Sequence, residues 1–276
     1  MYKKIVKKIN RRLIKRVIAY TCGVFVIIFF TFFIYLSLSK KVTCPYPLLR
    51  VCSEYLYRTN SGKSADLFFE LGNYNFGQGN YDIKKSLYFF NKTVSISPNY
   101  QYIHYQLARI YFILGDQKAA LGYINKEIEL YPEYTRSYYV RGLINGYSKN
   151  FDDAVIDFKT FIKSKPESWA GNNDLAWIYF AKGDFENAAK TAKEGLKIAP
   201  KNPWLNNSAG VALMNLGEYS EAKKYLLTAK ESANFITSNM WGAAYPGNDP
   251  EIYGQGLDSM RQSINDNLKL IDEKLK

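Results

Sequence analysis

Residues 176–200 hold Ala176, Tyr179, Gly183-Asp184-Phe185, Ala188 and Pro200, and these landmarks return along the chain at a step of 34 residues. Pro98, Pro132, Pro166 and Pro200 keep that step. So do Ala120, Ala154, Ala188 and Ala222, and the small residues Ala108, Gly142, Ala176 and Gly210. A repeat of this length is one helix–turn–helix unit. Each landmark has a physical job. The small residue lets the second helix approach the first closely, and the alanine does the same from the other side. The proline stops the second helix, because it lacks the helical N–H and clashes with the preceding turn. Gly115-Asp116, Gly183-Asp184 and Gly217-Glu218 mark the turns between helices. In the third unit Lys149-Asn150 replaces the glycine turn, with Asn150 expected to take the left-handed backbone.

In the second unit the spacing predicts helices over Gln101–Leu114 and Lys118–Leu130. Tyr111, Phe151, Phe158, Tyr179, Phe185 and Tyr219 supply bulk between the small contacts. The first unit departs from the pattern. From Gly79 to Pro98 it is two residues too long, which a longer second helix or a longer turn has to absorb. The fifth unit keeps Ala209-Gly210, Gly217-Glu218-Tyr219 and Ala222 but loses the closing proline. The pattern resembles the tetratricopeptide repeat family over residues 65–235, about five units, most strongly between Gln101 and Asn202. The resemblance implies an all-α solenoid of stacked helical hairpins, acting by binding other proteins.

The ends carry different signals. Residues 1–16 hold Lys3, Lys4, Lys7, Lys8, Arg11, Arg12, Lys15 and Arg16 and no acid. Residues 17–39 carry no charge, which is long enough to cross a bilayer core as one helix. Ser39-Lys40-Lys41 is a poor signal-peptidase site, and Lys41-Val42-Thr43 before Cys44 does not fit a lipoprotein signal, so the span reads as a retained signal anchor. The basic arm places the N-terminus in the cytoplasm and exports the remainder. Subtracting its eight charges from the formal +12 leaves +4, too little basic excess for nucleic-acid binding by the exported part. Residues 40–64 read as a juxtamembrane connector ending in the loop Asn60-Ser61-Gly62-Lys63-Ser64. In it, Cys44 and Cys52 are either a disulfide closing a small loop or a pair of free thiols.

Residues 236–276 are expected to close the array. Asp249 and Pro250 read as a helix start, and Leu257, Met260, Ile264, Leu268, Ile271 and Leu275 form one apolar stripe. Its mixed-charge polar face suits packing on the fifth unit better than lying on a membrane. Met240-Trp241-Gly242-Ala243-Ala244-Tyr245-Pro246-Gly247 reads as an aromatic, glycine-rich loop that matches no named motif and either packs over the end of the array or forms part of a binding site.

The family resemblance further implies an inner surface lined by the first helix of each pair. The candidate partner groove is Tyr102, Tyr105, Arg109, Phe112, Arg136, Tyr139, Asn173, Trp177, Phe180, Trp204 and Asn207, with Phe69, Asn73, Phe76, Leu143, Tyr147 and Val211 around it. Aromatic rings with Asn and Arg suit an extended peptide, although some of these rings can instead be core between repeats. Tyr105, Tyr139, Trp177 and Trp204 are expected to form one continuous track. The family's Lys, Asn and Arg clamp for chaperone tails is not reproduced: its positions hold Phe69, Asn73, Gln106, Arg136 and Val140 in one frame, and Tyr105, Arg109, Val140, Ala170 and Asp174 in the other. No nucleophile set, phosphate loop, cofactor motif or metal-spaced cluster stands out, and Asp152-Asp153 suit a helix start. The sequence therefore predicts a non-enzymatic, membrane-anchored scaffold or adaptor, with no cofactor, serving envelope assembly, secretion or chaperoning. A fixed subunit of a pilus or division machine, or a glycan-associated co-factor, remain alternatives. High Lys, Asn, Ile and Tyr content points to an AT-rich, bacterial genome.

Overall fold

The computed structural model describes residues 49–60, 63–77, 81–244, 251 and 253–276, with positions 20, 23, 24, 27 and 31. Thirteen helices and no strand are found among these residues: α1 Leu49–Thr59, α2 Ala65–Gly77, α3 Ile83–Ile96, α4 Ile103–Ile113, α5 Gln117–Leu130, α6 Arg136–Tyr147, α7 Phe151–Ser164, α8 Trp169–Ala181, α9 Phe185–Ile198, α10 Pro203–Asn215, α11 Tyr219–Ala233, α12 Ser238–Ala244 and α13 Tyr253–Lys274. The second helices α3, α5, α7, α9 and α11 begin at residues 83, 117, 151, 185 and 219, so the 34-residue step holds across all five units.

Local chemistry fixes many of the boundaries. Asp82, Asp116 and Asp184 cap second helices by accepting from the amides of Lys85, Ala119 and Asn187, at 2.9, 2.9 and 3.1 Å. The prolines follow C-cap residues Ser97, Tyr131, Lys165 and Ala199, all out of the helical region at φ between −138 and −133° and ψ between 64 and 90°. The turn takes one left-handed residue: Gly115 (φ 79°), Gly183 (81°), Gly217 (79°) and, in the third unit, Lys149 (64°). The expectation that Asn150 would be the left-handed residue is therefore corrected. Asn150 is the N-cap at φ −82°, and the residue before it takes the strained position.

The two extra residues of the first unit lie in its turn. In the later units the N-cap amide reaches back five residues, as in Asp116 N–H to Tyr111 O (2.9 Å). In the first unit Asp82 N–H reaches back seven, to Asn75 O (2.7 Å). Gly72 then meets Phe90, eighteen positions on, where Gly142 meets Phe158 and Gly210 meets Leu226, sixteen positions on. A Cβ on Gly142 would stand 3.1 Å from the Phe158 ring, which is why the small residue is needed at that crossing.

Buried polar groups tie hairpins together. Arg141 donates to Asp157 at 2.7–3.1 Å and to Asn125 Oδ1 at 3.0 Å, joining α6 to α7 and α5. Glu127 of α5, fully buried, accepts from the amides of Tyr102 (3.0 Å) and Tyr105 (3.2 Å). It thereby caps α4, whose own N-cap residue Tyr102 is left-handed at φ 68° and makes no side-chain cap. Burial pushes the Glu127 carboxyl up, and these amides pull it back down.

Both ends of the array are covered. The segment read as a connector contains α1, whose Leu49, Cys52 and Leu56 pack on Leu67, Phe68, Leu71 and Phe89 of the first unit. Asn75 donates to Ser53 Oγ at 2.8 Å across this contact. Cys52 is disulfide-bonded, and Cys44 lies outside the described residues. At the other end Ile264, Leu268 and Ile271 of α13 join Leu226, Ala229 and Ala233 of α11 in one core. Arg261 donates to the carbonyls of Ala233 (3.1 and 3.2 Å) and Ile236 (2.9 Å), meeting the exposed acceptors at the end of α11. The expected helix start at Asp249-Pro250 lies outside the described residues. The predicted loop is corrected: residues 240–244 belong to helix α12. The basic arm of residues 1–16 lies outside the described residues. Of the span over residues 17–39, only Tyr20, Gly23, Val24, Ile27 and Thr31 are described, each helical and exposed. No helix among the described residues is long and apolar enough to cross a membrane.

Candidate functional site

First helices α4, α6, α8 and α10 lie side by side, and their shared surface forms a groove. The 34-residue step aligns it in columns. Tyr105, Tyr139, Asn173 and Asn207 occupy one position of successive units, and Val140, Asp174 and Ser208 the next position of the last three. A cavity of about 630 Å³ runs across these columns, within the usual range for ligand pockets.

Nine of the eleven groove candidates line it: Tyr105, Arg109, Phe112, Arg136, Tyr139, Asn173, Trp177, Trp204 and Asn207. Two do not. The Tyr102 ring packs on Tyr134 at 4.4 Å beside the α4 N-terminus, and Phe180 packs on Phe185 at 5.2 Å, in the core under the last units. Helical geometry explains both misses. Tyr102 stands before the first helical turn, and Phe180 points toward its own hairpin partner.

The expected single track of Tyr105, Tyr139, Trp177 and Trp204 is replaced by two shorter ones. Phe112, Tyr147 and Trp177 form a ladder with centroids 5.3 and 5.0 Å apart, and Trp169 stacks on Trp204 at 5.4 Å. Gly146 makes the first ladder possible, since a Cβ there would stand 2.9 Å from the Trp177 ring. Tyr139 lies differently. Its ring packs on Phe161 (4.9 Å) and Phe158 (5.6 Å) while the residue also lines the groove.

The Tyr139 hydroxyl donates to Asp174 Oδ2 at 2.5 Å. Asn173 donates to Asp174 Oδ1 at 3.2 Å, and Ser208 donates to Asn173 Oδ1 at 3.0 Å. The network thus converges on one carboxylate in the groove wall. Burial pushes the Asp174 carboxyl up to about 6, with the Tyr139 and Asn173 donors opposing the shift. Toward the other end, Arg109 lies over the Phe76 ring (4.6 Å) and the Tyr105 ring (5.5 Å) and donates to Gln106. Arg136 is exposed on the same surface. The groove is therefore aromatic along its length, cationic near α4 and acidic at α8.

The far wall comes from the segment for which the sequence left two readings open, packing over the end of the array or forming part of a binding site. Trp241 of α12, with Gly256 and Met260 of α13, closes the cavity beyond α10. A Cβ on Gly256 would stand 2.3 Å from the Trp241 ring, so this glycine lets the indole seat against α13. The sequence signal was the unusual Trp241-Gly242 pair itself. Asp174 and Trp169 were also missing from the candidates, although Asp174 follows Val140 by one repeat. Among the described residues no group of three His, Cys, Asp or Glu side chains gathers to hold a metal.

Comparison with known proteins agrees with this architecture. Tetratricopeptide repeat models match residues 102–134, 139–203 and 179–243. Bovine BBSome complex member BBS4 is 27% identical over 150 residues, covering 52% of this chain and 28% of that protein. Bovine DnaJ homolog subfamily C member 3 is 29% identical over 133 residues, covering 47% and 26%. The chain thus spans only about a quarter of the length of these curated relatives. Among solved structures, MamA aligns with a TM-score of 0.55 at 19% identity, covering 62% of this chain and 92% of MamA. YrrB, described as a TPR protein with an unusual peptide-binding site, aligns at 0.53 and 13% identity, covering 65% and 91%. From its repeat period, its stacked hairpins and these matches, the chain belongs to the tetratricopeptide repeat family.

Proposed function

We propose that this protein is a membrane-anchored scaffold that captures a segment of a partner protein in the groove of α4, α6, α8 and α10. The observation that carries this reading is the groove itself. Aromatic faces, two arginines, amides and one carboxylate converge on a single cavity of about 630 Å³. Rings supply apolar area, and amides such as Asn207 supply hydrogen bonds to an extended backbone. Asn207 Oδ1 is buried without a hydrogen-bond partner, which suits an acceptor kept for a ligand amide. The protein acts without catalysing a reaction of its own and without a cofactor.

The basic arm and uncharged span support an anchor in the cytoplasmic membrane, with the array on the exported side. There it serves envelope assembly, secretion or chaperoning. A C-terminal alkaline phosphatase fusion is expected to be active, and a C-terminal green fluorescent fusion dark; the opposite pair overturns the localisation. Crosslinking followed by purification from detergent tests the role. A scaffold yields several substoichiometric clients, a fixed machine subunit yields one constant set, and recovery of wall glycan alone rejects both.

A further inference from the structure

We propose that Asp174 and the rings beside it form the receptor for a lysine or arginine side chain of the captured segment. This rests on the groove reading above and adds what the partner must carry. Asp174 is a charged side chain in the wall of an aromatic cavity. Its hydrogen-bond donors are Tyr139 and Asn173, and an ionised carboxylate has about four acceptor positions. Among the described residues no lysine or arginine pairs with it. Arg109 is held at α4 by Gln106 and Phe76, and Arg141 is committed to Asp157.

The surroundings favour a cation. Trp177 follows Asp174 by one turn of α8 and stands 5.0 Å from Tyr147, whose hydroxyl feels the Asp174 charge. Ring faces attract ammonium and guanidinium groups, and a carboxylate adds a charge-assisted hydrogen bond. An acidic ligand group at this place would meet like charge. A neutral one would leave a half-buried carboxylate without a counter-ion, which costs free energy.

The fold does not require the charge. The same repeat position holds the neutral Gln106, Val140 and Ser208 in the second, third and fifth units, and the acidic Glu70 in the first. An amide at 174 would still accept the Tyr139 proton and hold the strut between α6 and α8. The ionised group is therefore explained by what it binds and not by what it supports.

The test titrates the full-length chain, in mild detergent, with four pools of nonapeptides. Each pool is degenerate except for a central Arg, Lys, Glu or Ala. The Arg and Lys pools are expected to bind about tenfold tighter than the Ala pool, the order of a cation–π contact joined to a charge-assisted bond. Asp174→Asn should erase that preference while leaving the thermal midpoint no lower. If Asp174→Asn melts early, Asp174→Gln, the residue type found at position 106, replaces it. Equal binding of the Arg, Lys and Ala pools overturns this inference alone, as does a preference that survives both variants. A Glu-pool preference also overturns it and assigns the dominant contact to Arg109 and Arg136. Failure of every pool to bind overturns the groove reading together with it.

Discussion

Tyr139 shows how one residue can belong to fold and groove at once. Its ring is packed against Phe158 and Phe161, and its hydroxyl ends in the groove on Asp174. Tyr147, eight residues on, is 62% exposed and stands in the aromatic ladder. Truncating each to alanine should therefore have opposite consequences. Tyr139→Ala is expected to lower stability by about 3 kcal/mol, as large core truncations do. Tyr147→Ala should leave melting nearly unchanged and weaken capture by about 2 kcal/mol, roughly thirtyfold. Paired melting and peptide titration check this, and a stable Tyr139→Ala variant contradicts the packing. Asp174 adds a pH signature. Its carboxyl is raised from 3.8 to about 6 on folding, so between those values the folded chain holds a proton that the unfolded chain releases. Stability from this group is present below 3.8, falls as pH rises toward 6, and stays lost above it. Asp174→Asn is thus expected to melt about 2–4 °C above the parent at pH 7.5, the effect of roughly 1 kcal/mol in a domain of this size. The gap should close at pH 4, and a gap that persists there would show that Asp174 is not the titrating group. These residue roles were only partly legible in sequence. Spacing put Tyr139 on a first helix, but which edge of a helical stripe turns inward depends on where the neighbouring helix crosses.

At the scale of elements, the two helices of the third hairpin are joined by apolar packing and by an ion pair whose carboxylate is buried. Asp157 is 2% exposed and takes three hydrogen bonds from Arg141, with a fourth from Asn145 at 3.1 Å. Removing Arg141 leaves that carboxylate without its cation, a loss of about 3–5 kcal/mol for a buried pair. Arg141→Met should therefore lower the urea midpoint strongly, and Arg141→Met with Asp157→Leu should regain much of it. Equal midpoints for the single and double variants contradict the pairing. Hairpin boundaries were readable because their chemistry is local. Proline, the aspartate caps and the glycine turns act within four residues of where they stand. The pairing of Arg141 with Asp157 was not readable, since it depends on the angle at which α6 crosses α7. The left-handed residue of the third unit was misread for another reason: turn propensity favours asparagine, yet Lys149 stands 34 residues from Gly115 and from Gly183 and takes their backbone conformation.

Across the whole molecule, stacked units need covers at both ends. Helix α13 is the cover at one end, and with α12 it also closes the groove through Trp241 and Met260. Ending the chain at Asn234 would uncover Leu226, Ala229 and Ala233 and open the cavity. That variant is expected to aggregate or melt early, as light scattering and circular dichroism would record. A monomeric, equally stable product means that α13 is free for another partner. The stripe from Leu257 to Ile271 made α13 legible in advance. Helix α12 escaped notice because seven residues with a glycine give no readable period, and α1 because its apolar stripe follows a proline-rich stretch.

The central claim is that partners are held in the groove. Site-specific photo-crosslinking tests it most directly, with benzoylphenylalanine placed at Tyr147 in the groove or at Ile156 on α7, a 62% exposed position outside the groove lining. In living cells the Tyr147 probe is expected to trap a protein partner, and Asp174→Asn should reduce that product while the Ile156 probe stays silent. Adducts from Ile156 with none from Tyr147 would contradict the account and move recognition to the second helices.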